Sequence, residues 1–257
     1  MTKLWLVVER DVRMFLRYRF ILIMRAMWFA VQISLFGLVV SSMIKAEVHN
    51  IVGSYFNYYA AGVGIMMLYS TAMFIGYDIF EEAEHGIIEY LLSLPISRKE
   101  LVLGRAIGGG IRSFVYIGPM LAIVLFMIGV IHPLNFLVAF ASLFLFAFGV
   151  SGFSITLASA IKSHDKYDIF MGMFNAFVVR LSTAMYPKAF MPDLYANLAQ
   201  LNPITFASDI FRWGAGLESV LTTSPFIAVI GLFVFFFTFT FLGVTIYERR
   251  IEGGGWE

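Results

Sequence analysis

The sequence predicts an all-α integral membrane protein with six membrane-spanning helices and an interfacial helix at its N-terminus. Three observations support this fold class: 60% of the 257 residues are hydrophobic, only 14% are charged, and long apolar runs recur along the chain. A bilayer core of about 30 Å requires about 20 apolar residues in a helix. Because backbone groups inside lipid have no water to bind, each such run is predicted to be helical.

The first 25 residues are too polar to cross a bilayer, but they have an amphipathic pattern. Leu4, Val8, Val12 and Phe15 recur at helical spacing, and three arginines occupy another face. We expect this helix to lie along the inner leaflet with its arginines toward the lipid head groups. A plain positively charged anchor beside the first crossing explains the same pattern.

Six crossings follow, and residues 1–257 are expected to form one transmembrane domain. The predicted crossings are 26–44, 51–77, 106–131, 134–161, 169–186 and 220–247. With the N-terminus in the cytoplasm, 13 lysines and arginines fall on the inner side, three on the outer side, and Arg112 and Arg180 inside crossings. This bias predicts a multi-pass protein of the cell membrane with both termini in the cytoplasm.

The only sizeable cytoplasmic loop is predicted at residues 78–105. It begins with a strongly acidic helix that also carries an apolar face, and Pro95 ends this pattern. Ser97 and Glu100 are spaced as a capping box, which predicts a new helix that continues into the third crossing. Apolar residues beside carboxylates favour docking into a groove on a partner protein. A merely solvated acidic helix is the alternative.

A second structured segment is predicted on the outer side, at residues 187–218. Pro192 suits the first turn of one short helix, and Asn202 is a typical N-cap of another. Asp209 and Arg212 lie three residues apart on that second helix and can pair. Both helices are apolar and too short to cross, so we expect a hairpin that dips into the outer leaflet. An ordinary interfacial loop is the alternative.

Two segments of the chain resemble a known family. The run from 84 to 98, Glu-His-Gly-Ile-Ile-Glu-Tyr-Leu-Leu-Ser-Leu-Pro-Ile-Ser-Arg, resembles the cytoplasmic segment after the second crossing of ABC-2 type permeases. The stretch from 186 to 216, with the run Leu-Asn-Pro-Ile-Thr at 201–205, resembles the outer hairpin of that family. The order of helices matches over essentially the whole chain. The resemblance implies the ABC-2 type exporter fold and the membrane subunit of an ATP-binding-cassette exporter.

In that family the loop after the second crossing docks onto a nucleotide-binding ATPase subunit, and the outer hairpin helps to close the pathway. The resemblance therefore implies these ATPase-coupling residues: Glu81, Glu84, His85, Gly86, Glu89, Leu91, Leu92, Pro95 and Arg98. It implies an outer gate formed by Pro187, Pro192, Asn202, Pro203, Asp209 and Arg212. Six crossings are half of such an exporter, so a dimer with a second permease copy, identical or closely related, is expected. Drugs, lipids or lipid-linked glycans are the expected cargo.

Several functions are disfavoured by what the sequence lacks. It contains no G-x-x-x-x-G-K-[ST] loop, so ATP and magnesium are expected in the separate ATPase and no cofactor in this chain. The net charge of +1 leaves no basic surplus for nucleic acid, whereas membrane lipid is an expected partner. There are no cysteines, and no histidine pair has metal-ligand spacing, so no metal site is predicted.

Ionisable residues within crossings are candidates for a substrate path, here Arg112 and Arg180. Arg112 can instead extend toward the inner head groups, and Arg180 toward the outer ones. No acidic residue lies deep in a predicted crossing, which disfavours the alternative of a secondary carrier or channel without an ATPase. The stretch 149–152, Gly-Val-Ser-Gly, matches the serine motif of rhomboid-type intramembrane proteases. No histidine follows in a later crossing, so close helix packing explains this stretch better.

Overall fold

The computed structural model describes residues 3–17, 19–44, 46–128, 133–161 and 163–252, and in these residues every regular element is helical. The first half forms α1 (Lys3–Arg17), α2 (Arg19–Val31), a π-helical segment (Gln32–Gly37), α3 (Leu38–Met43), α4 (Ala46–Val52), α5 (Tyr55–Met73), α6 (Ile75–Glu84) and α7 (Ile87–Ser93). The second half forms α8 (Arg98–Ile128), α9 (Pro133–Ala160), α10 (His164–Arg180), α11 (Asp193–Ala199), α12 (Pro203–Gly214), α13 (Pro225–Glu252), and 3₁₀ turns at Lys188–Phe190 and Glu218–Val220.

Five helices in the described residues are long and apolar enough to cross a membrane. They are Ile23–Met43, Tyr55–Glu84, Arg98–Ile128, Pro133–Ala160 and Pro225–Arg249. The all-α membrane class is therefore confirmed, and the predicted count of six is approximately met. The difference concerns the predicted fifth crossing at 169–186, where α10 has 17 residues and ends at Arg180. At 1.5 Å per residue it is about 26 Å long, slightly less than the bilayer core.

Helix α9 lies at the centre of the bundle, in contact with α5, α6, α8, α12 and α13. The two glycines of its Gly-Val-Ser-Gly stretch face α13 and allow the close approach. A Cβ atom on Gly149 would lie 2.7 Å from the ring of Phe235, and one on Gly152 would lie 3.0 Å from the backbone of Thr240. The packing interpretation of this stretch is thus confirmed, because side chains larger than hydrogen do not fit there.

The second crossing extends beyond its predicted end at residue 77. After a one-residue irregularity at Phe74 the chain continues as α6, because Ile79 and Phe80 are buried against the bundle. The chain then turns at Gly86, whose φ of +67° is a conformation that glycine adopts without strain. The acidic residues predicted on one loop helix therefore lie on two helices, α6 and α7.

Helix α8 begins with the predicted capping box. The backbone amide and the hydroxyl of Ser97 donate to Glu100 Oε2 at 2.9 and 2.7 Å, and the Glu100 amide donates to Ser97 Oγ at 3.2 Å. The helix then runs unbroken to Ile128, as predicted for an elbow continuing into the third crossing. Residues 129–131 of that crossing, and residues 1, 2 and 18 of the predicted interfacial helix, lie outside the described residues.

The helix pair α5–α6 marks the two ends of the bundle. At its start, the hydroxyl of Tyr55 donates to the carbonyl oxygen of Met185 at 2.9 Å, next to α11 and α12. At its finish, α6 contacts α7. We refer to these as the hairpin end and the α7 end.

Candidate functional site

At the α7 end, α6 and α7 present one exposed face that combines carboxylates with apolar side chains. We name it the α7 surface; it comprises Glu81, Glu84, His85, Gly86, Ile87, Glu89 and Tyr90. Tyr90 is the most exposed apolar member at 64%. On the opposite side of α7, Ile88 and Leu91 are buried against the bundle. This helix is therefore anchored to the bundle on one side and exposed on the other.

The predicted ATPase-coupling residues fall into two groups. Glu81, Glu84, His85, Gly86, Glu89, Pro95 and Arg98 are exposed, and Leu92 is half-buried. Leu91 is only 6% exposed and faces the bundle, so it supports α7 rather than contacting a partner. Tyr90 was not among the predicted residues, although its position three residues after Ile87 places both on one helix face.

The α7 surface is connected to α10 by side-chain contacts of α6. Glu84 Oε1 lies 2.9 Å from His164 Nδ1, and the His164 ring stacks on Phe80 with centroids 5.3 Å apart. Nearby, the hydroxyl of Tyr77 donates to Asp168 at 2.8 Å. A displacement of α6 would therefore displace the side chains that it contacts at the start of α10.

Behind the α7 surface lies a cluster of charged side chains from α1, α6 and α8. We name it the charge cluster; it comprises Arg10, Asp11, Asp78, Glu82, Arg105 and Arg112. Glu82 accepts from both Arg10 and Arg105, and it therefore joins all three helices. Such buried pairs are strongly coupled, because removing one partner leaves the other charge without compensation.

Arg112 belongs to this cluster and to none of the cavities described below. Its guanidinium binds Asp78 and lies 5.0 Å from the ring centroid of Phe15. The side chain is 2% exposed. Its charge is thus engaged within the protein rather than extended toward lipid head groups.

Asp11 is the least compensated member of the cluster. It is 3% exposed, its Oδ1 lies 3.4 Å from Arg10 Nη1, and its Oδ2 has no hydrogen-bond partner in the part of the chain that the structure describes. Burial raises the pKa of its carboxyl, and the nearby arginines oppose this effect only in part. Helix α1 approaches α8 closely here, because a Cβ atom on Gly108 would lie 3.0 Å from the Cβ of Asp11.

At the hairpin end, Arg212 organises the turn that follows α10. It is fully buried, donates to the carbonyl oxygens of Thr183 at 3.1 Å, Ala184 at 2.8 Å and Tyr58 at 3.2 Å, and lies 3.6 Å from the Tyr58 ring centroid. The predicted partner Asp209 lies 3.8 Å away and accepts two backbone amides, of Thr222 and Thr223. Arg212 therefore fixes the turn mainly through backbone carbonyls.

The other predicted gate residues border the same turn. Asn202 caps α12 by accepting from the Ile204 amide at 2.9 Å, and its Nδ2 donates to the Val178 carbonyl at 2.7 Å. Pro203 is the first residue of α12, as predicted, whereas Pro192 immediately precedes α11. Pro187 is buried after the turn. Asn202 thus ties the start of α12 to the last turns of α10.

Two cavities lie between α2–α3, α5, α10 and the hairpin, and they share Arg180. The apolar cavity, about 440 Å³, lies at the hairpin end; its walls include Val40, Ile44, Tyr55, Tyr186 and Phe190. The mixed cavity, about 400 Å³, lies farther from that end; its walls include Trp28, Gln32, Ser70 and Asn175. Both volumes are in the range of small-molecule sites.

The five long apolar helices define a multi-pass membrane protein. Among the described residues, no group of histidine, aspartate and glutamate can hold a metal ion. The family model for the ABC-2 type transporter matches residues 2–215. The chain therefore belongs to the ABC-2 type transporter family.

The chain is also similar to provisionally named transport permeases called ycf38. It is 24% identical to the protein of Cyanophora paradoxa over 169 residues, which are 65% of this chain and 58% of that protein. It is 26% identical to the protein of Pyropia yezoensis over 164 residues, which are 62% of this chain and 56% of that protein. The chain thus covers less than two thirds of the length of these relatives.

Proposed function

We propose that this chain is the membrane-spanning subunit of an ATP-driven exporter. It forms the translocation pathway as a dimer and takes its energy from a separate ATPase subunit. Permeases of this family generally pair with such a subunit. The observation that carries the proposal is the α7 surface, where exposed apolar side chains lie among carboxylates on a helix anchored from behind.

The chemistry of the α7 surface suits a protein partner. Ile87 and Tyr90 are exposed next to Glu84 and Glu89. Protein interfaces combine an apolar centre, often with tyrosine, and a polar rim. In this proposal the partner holds ATP and magnesium, and this chain binds no cofactor.

The charge cluster supports a route for mechanical coupling. Glu82 joins α6, which carries the α7 surface, to α8 and α1 through Arg105 and Arg10. ATP-driven closure of the ATPases would push on α7, and these buried contacts would pass the motion to the crossings. Alternating access follows, with the hairpin around Pro203 opening as the α7 end closes.

The proposed orientation puts the α7 end and both termini in the cytoplasm at the cell membrane. The hairpin then lies in the outer leaflet, where lipid covers its apolar side chains. In support, Leu194 and Leu201 of the hairpin are 68% and 75% exposed. Helix α10 with its following turn supplies the remaining crossing.

A second permease copy completes the pathway in this proposal. Ile169, Met173 and Phe177 follow one another at helical spacing on α10 and are 65%, 73% and 61% exposed. Such a stripe beside the two cavities suits a facing copy across a shared path. The aromatic and aliphatic walls of the cavities favour hydrophobic or amphiphilic cargo.

The test is purification of the tagged protein from its native membrane in a gentle detergent, with identification of the proteins that copurify. We expect a stoichiometric ATPase with the wild type and its loss from a triple variant, Glu81→Lys, Glu84→Lys and Glu89→Lys. The matched control reverses exposed acids at the hairpin end, Asp193→Lys and Glu218→Lys, and should retain the ATPase.

Two outcomes contradict the proposal. Retention of the ATPase by the triple variant would exclude the α7 surface as the docking site. A stable assembly without any ATPase would favour a secondary carrier or channel instead.

A further inference from the structure

We infer that Arg180 and the two cavities form one cargo site, and that the cargo is an amphiphile with an anionic group between its apolar chain and a hydroxylated head group. A phosphodiester lipid has this order of groups. The inference rests on the proposed function only in that this chain moves a cargo.

Arg180 lies where the two cavities meet. It ends α10 and contributes to the walls of both cavities. A ligand that occupies both cavities therefore contacts Arg180. The anionic group of such a ligand is expected at the junction, with the rest of the molecule extending to either side.

The charge of Arg180 is unpaired, unlike those of Arg105 and Arg112, because no carboxylate pairs with it among the described residues. In the bundle, Arg105 and Arg112 each bind a carboxylate, of Glu82 and Asp78 respectively. Arg180 is exposed and has no carboxylate within ion-pair distance among residues 3–17, 19–44, 46–128, 133–161 and 163–252. An unpaired guanidinium that borders two cavities is complementary to a phosphate, sulfate or carboxylate.

The two cavities differ in what they can bind. The apolar cavity offers aliphatic and aromatic side chains such as Ile44, Tyr55 and Phe190, which suit a hydrocarbon chain. The mixed cavity offers the amide nitrogens of Gln32 and Asn175, whose oxygens accept from tyrosine hydroxyls, and the hydroxyl of Ser70. These groups suit a head group with several hydroxyls. The order chain, anion and polar head follows from this arrangement.

The test uses three 12-carbon probes: dodecyl maltoside, which has no charge, dodecyl phosphate, and lauroyl lysophosphatidylglycerol, which adds a hydroxylated head after the phosphate. Binding to the purified protein, together with the proteins that copurify, is measured by native mass spectrometry from a neutral detergent. We expect lysophosphatidylglycerol to bind best and dodecyl maltoside to bind least.

Variants separate the role of the Arg180 guanidinium from the role of the Asn175 amide. Arg180→Gln should weaken both phosphate probes about tenfold, because a hydrogen bond to a charged group is lost, and Arg180→Lys should restore part of the affinity. Asn175→Leu should weaken lysophosphatidylglycerol but not dodecyl phosphate. The control Arg13→Gln removes an exposed arginine of α1 and should change none of the three.

Three results would overturn the inference: equal binding of the three probes, unchanged binding in Arg180→Gln, or an equal loss in Arg13→Gln. Competition by inorganic phosphate alone at the same concentration would assign the site to a free anion. Copurification of the ATPase with Arg180→Gln is measured in parallel. Its presence leaves the exporter proposal intact even where the cargo inference fails.

Discussion

Glu82 accepts a hydrogen bond from Arg105 across the interface between α6 and α8. The two side chains are 6% and 2% exposed, and Arg10 of α1 binds the other oxygen of the same carboxylate. Because both charges are removed from water, each depends on the other for compensation. One carboxylate thus holds three helices at the end of the bundle that carries the α7 surface.

The first prediction concerns this carboxylate. Glu82→Gln should lower the free energy of unfolding by about 3–5 kcal/mol, because the buried guanidinium of Arg105 keeps its charge and loses the carboxylate that it binds. The control Glu81→Gln changes the exposed neighbour and should stay within about 0.5 kcal/mol of the wild type. Unfolding of the purified protein by a denaturing detergent measures both, and similar midpoints would contradict the structural role of Glu82.

The second prediction is a pH dependence at Asp11. Burial raises the pKa of this carboxyl, so the folded protein holds a proton there more readily than the unfolded chain does. The contribution of Asp11 to stability is fully present below about pH 4, the pKa of aspartate in the unfolded chain. It decreases as the pH rises through the pKa of Asp11 in the folded protein. Asp11→Asn should therefore stabilise the protein at pH 7.5 and much less near pH 4.5.

The midpoint of thermal unfolding, followed over that pH range, measures the effect of Asp11→Asn. Glu9→Gln, at a partly exposed carboxylate of the same helix, is the control and should show no such trend. A stabilisation by Asp11→Asn that is constant with pH would argue against titration of Asp11.

The third prediction concerns the contact between α5 and the turn after α10. A Cβ atom on Gly62 would lie 1.7 Å from the carbonyl oxygen of Ala184, which is backbone and not free to move. Gly62→Ala should therefore lower stability by about 3 kcal/mol or more. In Gly172→Ala the added methyl group meets none of the described residues within 4 Å, and no loss is expected. Thermal unfolding compares the two, and equal midpoints would be inconsistent with this packing.

The fourth prediction concerns Arg212. Arg212→Lys keeps the charge but cannot reach three carbonyl oxygens with one ammonium group, because only guanidinium has the planar fork. Faster hydrogen exchange is expected for the backbone amides of residues 181–186, measured by mass spectrometry. Lys188→Arg, in the adjacent 3₁₀ turn, is the matched control. Unchanged exchange in Arg212→Lys would mean that other contacts hold the turn.

The fifth prediction separates the two faces of α7. Tyr90→Ala should leave stability within about 0.5 kcal/mol but weaken retention of the ATPase about tenfold, as expected for an exposed aromatic side chain at an interface. Ile88→Ala, at a side chain that is 1% exposed, should instead destabilise the protein by about 2–5 kcal/mol. Equal ATPase retention in Tyr90→Ala and the wild type would remove Tyr90 from the docking surface.

Local signals in the sequence predicted much of the fold. The long apolar runs became helices, the Ser97–Glu100 capping box formed, and Asn202 capped α12. Each of these depends on residues within a few positions of one another. Such features follow from helix geometry alone and do not depend on how the helices pack.

The rest depends on contacts between distant parts of the chain. The end of α10 at Arg180 was missed because Leu181 and Met185 are as apolar as the helix before them. The turn there is fixed by Arg212 and Tyr58, which lie far away in sequence. Likewise, the partner of Arg112 is Asp78, 34 residues away, and pairing them requires knowing which faces of α6 and α8 meet.

The π-helical segment Gln32–Gly37 determines which faces of the two halves of the first crossing point toward the cavities. In an uninterrupted α-helix, at about 100° per residue, Val40 would be rotated about 120° from Trp28. The wider π turn rotates less per residue, which brings Val40 back toward the side of Trp28, so that one helix lines both cavities. Since a π turn is equivalent to an α-helix with one extra residue, the first crossing contains spare length. Deleting one residue there should shorten the crossing while both halves keep facing the same way.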